Sequence, residues 1–262
     1  MEVLVLLKLV TESHFTDALY DAEDRLSTGR LVMNPADEYA LEQALRLRDV
    51  WPDTHVTVLT MSPPSAEHLL YEALAMGAAA AVHLCDDAFA GSDTLATART
   101  LAAAVRRRPP ADLILCGQRA IDSETGHIGP QLAVLLGMPC ITNVVSVRRE
   151  PGGLILNRLQ DSGLVTLVPV LPAVLTICRG TDMVRSPSIP GLRSARKKKI
   201  LRLDHTRLAL PEEQLGSAGS PTRVVRTERI RHDRRSGTGT DQIAEGVSAI
   251  LRLAGKSDGN DA

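Results

Sequence analysis

The chain has 262 residues, enough for one large α/β domain with an appendage, and it can bury a sizeable core. Hydrophobic residues make up 44% and charged residues 23%, as in an ordinary soluble globular protein, while aromatic residues are only 2%, too few for the stacking platforms that hold single-stranded nucleic acid. A formal net charge of -1 exerts no long-range pull on anionic polymers or membranes, so any electrostatic function must be local.

The N-terminal MEVLVLLKLV is too short to span a membrane and lacks the basic leader and cleavage site of a signal peptide, which predicts a cytoplasmic location. EVLVLL at residues 2–7 is the first of several short apolar runs bounded by polar or Pro/Gly residues; HVTVLT (55–60), AAVHL (80–84) and DLILC (112–116) follow. Such runs suit strands buried on both faces. Helical spacing lies between them. Asn34-Pro35 opens a helix whose stripe is Ala40, Leu41, Ala44, Leu45 and Leu47; Ser65 opens another that ends at Gly77; Ser92 or Asp93 caps a third, which ends in basic residues before Pro109-Pro110. The alternation predicts a doubly wound parallel sheet with helices on both faces.

From residue 139 the rhythm changes to extended segments, with Pro151-Gly152-Gly153 and Asp161-Ser162-Gly163 as hairpin turns, so an antiparallel β flap is expected. Residues 181–200 and 211–240 read as loops. Thr240 or Asp241 caps a last helix whose apolar face carries Ile243, Val247, Ile250 and Leu251, too short to stand alone and therefore expected to dock; the residues after Leu253 read as disordered. The domains predicted are 1–205, the α/β domain with its flap, and 206–262, an extended C-terminal arm. The four cysteines, Cys85, Cys116, Cys140 and Cys178, form no CxxC pair and read as buried reduced thiols.

In a doubly wound sheet ligands bind beyond the carboxyl ends of the strands. CGQRAIDSETGHIGP, starting at Cys116, occupies such a position, and the N–H groups around Thr125, Gly126 and Gly129 could face an anion at a helix N-terminus. An ordinary capped turn fits the same residues, since no GxGxxG or GxxxxGK[ST] is present. His127 has no metal-spaced partner and suits a phosphate donor or a spectator better than a general acid or a ligand. Asp122 and Glu124 could be an acid/base pair, but neighbours in such a loop more often form turns and caps. The basic run from Arg193 to Lys199 could contact nucleic acid or an acidic partner, but it reads more readily as a solvated surface strip.

VLVLLK, MNPADEYALEQALRL, VTVLTMSPPSAEHLLYEALAMGA, DLILCGQRAIDSETGHIGPQLAVLLGMP, LPAVLTI and RSPSIPGLRSARKKKI, in that order over roughly residues 1–205, together resemble the β subunit of electron transfer flavoprotein. The resemblance implies a subunit with no catalytic residues and no metal of its own, paired as a heterodimer with an α subunit that carries FAD and exchanges electrons with a partner dehydrogenase or another redox protein. It implies an adenine nucleotide bound by Leu6, by Asn34, Pro35, Ala36 and Asp37, by Met61, and by Gly117, Gln118, Arg119, Ala120, Ile121, Asp122, Ser123, Glu124, Thr125, Gly126, His127, Ile128 and Gly129, mostly through backbone atoms.

One branch of that family holds AMP; the other holds a second FAD that takes a hydride from NADH and splits the electron pair. The loop here, Asp122-Ser-Glu-Thr125-Gly-His127-Ile-Gly129-Pro130, is similar to the second form, as is AGSDTLATA at 90–98, where Thr94 and Thr97 would reach the flavin ring. FAD is therefore expected in the β crevice, with AMP the alternative. The chain departs from the family in reading LVTESH after Lys8, Arg119 where Gln is usual, and Val170 where Lys is usual. Ile189 matches an exposed apolar residue that inserts into partner dehydrogenases. A rival from another class is a nucleotide-sensing, stress-type α/β module without redox partners.

Overall fold

The computed structural model describes residues 1–11, 31–180, 183–223, 225–226 and 243–253. In chain order the elements begin with strands β1 (Glu2–Leu6), β2 (Leu9–Thr11) and β3 (Leu31–Met33), helix α1 (Pro35–Val50) and strand β4 (His55–Met61). Helix α2 (Glu67–Met76), β5 (Ala80–Leu84), α3 (Thr94–Arg106), β6 (Leu113–Gly117) and α4 (Ile128–Leu136) follow. Next come β7 (Cys140–Glu150), β8 (Gly153–Gln160), β9 (Gly163–Leu167), β10 (Ala173–Ile177), α5 (Ile189–Ala195), β11 (Leu201–Leu203), α6 (His205–Leu208) and α7 (Ile243–Leu253).

Nine strands form one sheet in the order β11-β5-β4-β1-β6-β10-β7-β8-β9, and β2 pairs with β3 in a separate antiparallel ribbon. Every pairing from β11 to β7 is parallel, and β8 and β9 add to β7 antiparallel. The doubly wound sheet and its flap thus take the expected form. Alternation along β1 explains the two layers: Val3 and Val5 pack with Leu41, Leu45 and Leu70 of α1 and α2, whereas Leu4 and Leu6 pack with Leu101 and Leu132 of α3 and α4. The chain runs outward from β1 through β4 to β5, then returns to place β6 on the other side of β1. That reversal opens a crevice between the carboxyl ends of β1 and β6.

Local chemistry accounts for most boundaries. Pro35 starts α1, where its missing N–H costs nothing. Asp93, not Ser92, caps α3, its carboxylate accepting from Leu95 N at 2.9 Å and Ala96 N at 3.0 Å. Gly77 follows α2 with φ 131°, a conformation that glycine adopts without strain.

Several expectations need correction. α2 begins at Glu67 after a tight turn at Pro64–Ala66, so Ser65 is not its cap. α4 begins at Ile128, so Gly129 lies inside the helix rather than just before it, while Pro130 falls in the first turn, where proline is tolerated. Residues 181–200 are not simply a loop: they contain α5, capped by Ser188 Oγ accepting from Gly191 N at 3.0 Å. Burial of all four thiols also fails, because Cys140 is exposed and Cys85 half-buried.

The chain divides into two compact units, Met1–Arg223 and Val224–Ala262. In the second, α7 carries Ile243, Val247 and Ile250, all exposed, at helical spacing. The proposed caps at Thr240 and Asp241, and the residues after Leu253, lie outside the described residues. No helix among those described is long and apolar enough to cross a membrane.

Candidate functional site

Asn34 and Asp37, at the start of α1, hold the crevice in shape with their side chains. Asp37 is buried, and its two oxygens each accept a main-chain N–H at 2.7 Å, Oδ2 from Lys8 just beyond β1 and Oδ1 from Gly117 at the end of β6. One carboxylate thus bridges the two strands flanking the reversal. Burial pushes the Asp37 pKa up to about 6, although the Lys8 and Gly117 N–H groups favour the charged form. Asn34 clips the loop beyond: its Nδ2 donates to Arg119 O at 3.1 Å and its Oδ1 accepts from Ile121 N at 3.2 Å. Asn34 N donates to Lys8 O at 2.9 Å, which ties in the β1 side as well. These groups act on the protein's own backbone, which leaves the loop's remaining amides available.

Those amides lie at the far end of the loop. Gln118 N donates to Ile177 O at 2.8 Å and Glu124 N to Ala120 O at 2.8 Å, but Thr125, Gly126 and His127 donate to no acceptor among the described residues. They lead into the N-terminus of α4, where the helix dipole favours an anion. Gly129 is required here, since a Cβ would overlap Thr176 Cγ2 and lift the helix from β10. Gly126 has φ 65° and Glu124 has φ 48°, so the turn enters the left-handed region twice.

Leu6 and Met61 lie at the ends of the neighbouring strands β1 and β4, Leu6 buried and Met61 half-buried. Thr94 and Thr97 lie in the first turn of α3, and Thr94 Oγ1 accepts from Gln131 Nε2 of α4 at 3.3 Å, which joins the two helix starts. Pro35 and Ala36 open α1, and the Ala36 side chain helps to floor position 117. Ser123 sits in the exposed part of the loop. Ile189, at the start of α5 and 70% exposed, is on another part of the surface: α5 packs on α2.

Asp122 pairs with Lys8 Nζ at 2.7 Å, and Glu124 faces Arg119 at 3.8 Å with both side chains more than half exposed. Neither acid is set up as a buried acid/base group. Arg119 is exposed. His127 is exposed, and no cluster of three metal-type ligands occurs among the described residues.

Three contributors escaped the sequence reading. Lys8 anchors the loop through Asp122. Gln118 Nε2 donates to Asn143 Oδ1 at 2.7 Å and its Oε1 accepts from Cys178 Sγ at 3.5 Å, so Asn143 and Cys178 fix the amide at the mouth of β6. Asn143 has φ 60° in a bulge of β7, and its N–H donates to Thr176 Oγ1 at 3.2 Å. A bulge asparagine leaves no periodic signal.

Strand order and connectivity together define a doubly wound α/β protein. The chain belongs to the electron transfer flavoprotein domain family, which residues 26–208 match. It is 37% identical over 253 residues to "Electron transfer flavoprotein subunit beta" of Thermoanaerobacterium thermosaccharolyticum, covering 96% of each chain. It is also 39% identical to "Caffeyl-CoA reductase-Etf complex subunit CarD" of Acetobacterium woodii, covering 75% of each chain. Similarity to "Protein FixA" of Bradyrhizobium diazoefficiens is 38% over 74% of this chain and 70% of that protein.

Proposed function

We propose that this chain is the β-type subunit of an electron-transferring heterodimer, and that its crevice holds the diphosphate of an FAD. The observation that carries the proposal is the row of N–H groups at Thr125, Gly126 and His127, which donate to no acceptor among the described residues, beyond a point where Gly117 lets the end of β6 pack closely onto the start of α1. Main-chain donors at a helix N-terminus suit phosphate oxygens, and the residues present fit the group. Leu6 and Met61 would flank the adenine, Gly117 to Gly129 would wrap the phosphates, and Thr94 and Thr97 would stand beside the ring.

A flavin bound there supplies the electron uptake and release, and the protein's part is to bind and orient it. Asn34 and Asp37 hold the wall of the site, while Gln118 is fixed by Asn143 and Cys178. The FAD reading favours NADH as electron source and division of the pair between two acceptors. The apolar face of α7 is suited to docking on the α subunit, which carries its own FAD, and Ile189 to docking on a partner dehydrogenase. A cytoplasmic location belongs to the same reading.

Co-expression with the α-type partner, followed by counting FAD and AMP per heterodimer, tests this directly. Two FAD are expected; one FAD with one AMP moves the chain to the AMP branch. A colourless homodimer carrying ATP or AMP would replace the redox role with nucleotide sensing.

A further inference from the structure

We infer that Asp37 is a positioning residue whose charged carboxylate couples the ends of β1 and β6, so that the crevice grips a diphosphate-bearing nucleotide only while that carboxylate is ionised. The inference rests on the nucleotide-binding reading of the crevice and adds to it a dependence on one proton.

The two main-chain groups facing the carboxylate oxygens are N–H donors, at 2.7 Å each, and the Asn34 side chain hydrogen-bonds the carboxylate as well. An ionised carboxylate accepts from both. A carboxylic acid has one oxygen turned into a donor, and wherever the proton sits it confronts either Lys8 N or Gly117 N with a second hydrogen. Asp37 is only 5% exposed, so water cannot readily replace the lost acceptor. Protonation therefore releases one of two main-chain segments: the turn after β1 that carries Lys8, or the end of β6 that opens the phosphate loop.

Among the described residues, three neighbours influence the carboxylate. From β1, Lys8 supplies a positive charge, and its ammonium is already engaged by Asp122. On α1 itself, the Asn34 amide favours the charged form. From β6, the Cys116 thiol is pushed well up by its burial and then by the charge of Asp37, so it stays neutral. The carboxylate changes state as pH crosses about 6.

A purely structural role would have a different signature. The folded-state pKa lies above the ordinary 3.8, so the folded chain binds more protons than the unfolded chain between 3.8 and about 6. This group's contribution to stability is fully present below 3.8 and is lost as pH rises through about 6. Acid thus favours the fold through Asp37 while undoing its clamp. A structural residue would make stability and nucleotide retention fall together.

The test uses the full chain assembled with its α-type partner, comparing wild type with Asp37→Asn. FAD is the probe, because its diphosphate does not titrate in this range whereas a terminal phosphate, with a second ionisation near pH ~6, does. Wild type is expected to hold the second equivalent of FAD about tenfold more weakly at pH 5.0 than at pH 7.5, as one coupled proton requires. The variant should bind weakly at both pH values, with a flat profile. A wild-type change below twofold, or the same step surviving in Asp37→Asn, overturns the coupling. If only one FAD binds at any pH, the FAD reading of the crevice fails separately, and the Lys8 and Gly117 amide proton resonances decide the rest. They should titrate together near pH 6 in wild type alone, and their failure to shift overturns the inference.

Discussion

Gly117 and Asp37 leave no room for a side chain between them: a Cβ at position 117 would stand 2.5 Å from Asp37 Oδ1, 2.7 Å from Ala36 Cβ and 2.8 Å from Ala36 C. Ala36 and Asp37 belong to α1, which is buried against the sheet, so neither can retreat. Gly117→Ala must either break the 2.7 Å hydrogen bond from Gly117 N or push the helix start outward. We expect a loss of about 1–3 kcal/mol in urea denaturation, in the range of other overpacking changes, together with loss of the nucleotide from the crevice. An alanine variant that keeps wild-type stability and a full complement of nucleotide would refute this account of the floor.

Arg185 ties the segment ahead of α5 to α1. Its guanidinium donates to Glu42 Oε2 at 2.8 Å and Oε1 at 3.1 Å, and to Asp49 Oδ2 at 2.7 Å; Arg46 Nε reaches Glu42 Oε1 at 2.9 Å. The Glu42 side chain is only 4% exposed. Burial raises its pKa, but the hydrogen bonds from Arg185 and Arg46 outweigh that and leave it below the usual range. Removing one partner from a buried ion pair costs about 3–5 kcal/mol, so Arg185→Ala should be strongly destabilising, with Arg46 softening the effect. Because the Glu42 pKa is depressed, the difference between variant and wild type should shrink as pH falls below the carboxylate range. A difference that holds constant down to pH 2 would mean that packing, not charge, is responsible.

The parallel sheet was legible because strand and helix periodicities alternate cleanly, and the flap because Gly153 and Gly163 mark its turns, with φ 130° and 123°. The loop from Gly117 to Gly129 was legible only as a place, beyond the fourth predicted strand. How that place is held was not, because Asp37 and Asn34 act on backbone amides 80 and 87 residues away in sequence, and such pairings leave no local pattern. α5 was missed for a different reason. Pro190 and Gly191 look like loop residues, yet proline is tolerated in a first helical turn, and Gly191 is needed because a Cβ would overlap Ala75 O of α2. Cys140 looked like core by residue type, but it opens the strand that leaves the two-sided sheet for the flap and is exposed there.

Asp86 and His205 join the carboxyl ends of the neighbouring parallel strands β5 and β11 at the sheet edge. Asp86 Oδ2 accepts from His205 Nδ1 at 2.6 Å and from His205 N at 3.0 Å, while Oδ1 caps the turn at Ala88 N at 2.9 Å. Burial alone would raise the Asp86 pKa, but these hydrogen bonds bring it down to about 2; the same pairing raises that of His205. The histidine's contribution is therefore present below its ordinary pKa of 6.5 and lost as pH rises through its higher folded value. The Asp86 contribution is present above 3.8 and lost as pH falls toward 2. Urea denaturation of wild type and His205→Ala should thus differ most between about pH 4 and pH 6 and converge at alkaline pH. Divergence that grows above pH 8 would contradict the pairing.

Ile189 is 70% exposed at the first position of α5, and nothing in the first unit's core depends on it. Its placement is fixed from behind: Gly191 lets α5 approach Ala75 O of α2, Ser188 caps the helix, and Lys198 Nζ donates to Ala78 O at 2.7 Å. An apolar side chain presented on so constrained a turn loses little freedom when a partner covers it. Two substitutions therefore separate the anchor from its mounting. Ile189→Ala should leave stability within about 0.5 kcal/mol and nucleotide content unchanged, because it removes exposed surface only, while slowing electron transfer from a partner dehydrogenase. Gly191→Ala should slow the same transfer by displacing α5, and it should also destabilise the chain by about 1–3 kcal/mol through overpacking. Stopped-flow transfer rates measured beside denaturation curves would distinguish the two. Unchanged partner kinetics in both variants would remove Ile189 from the docking surface.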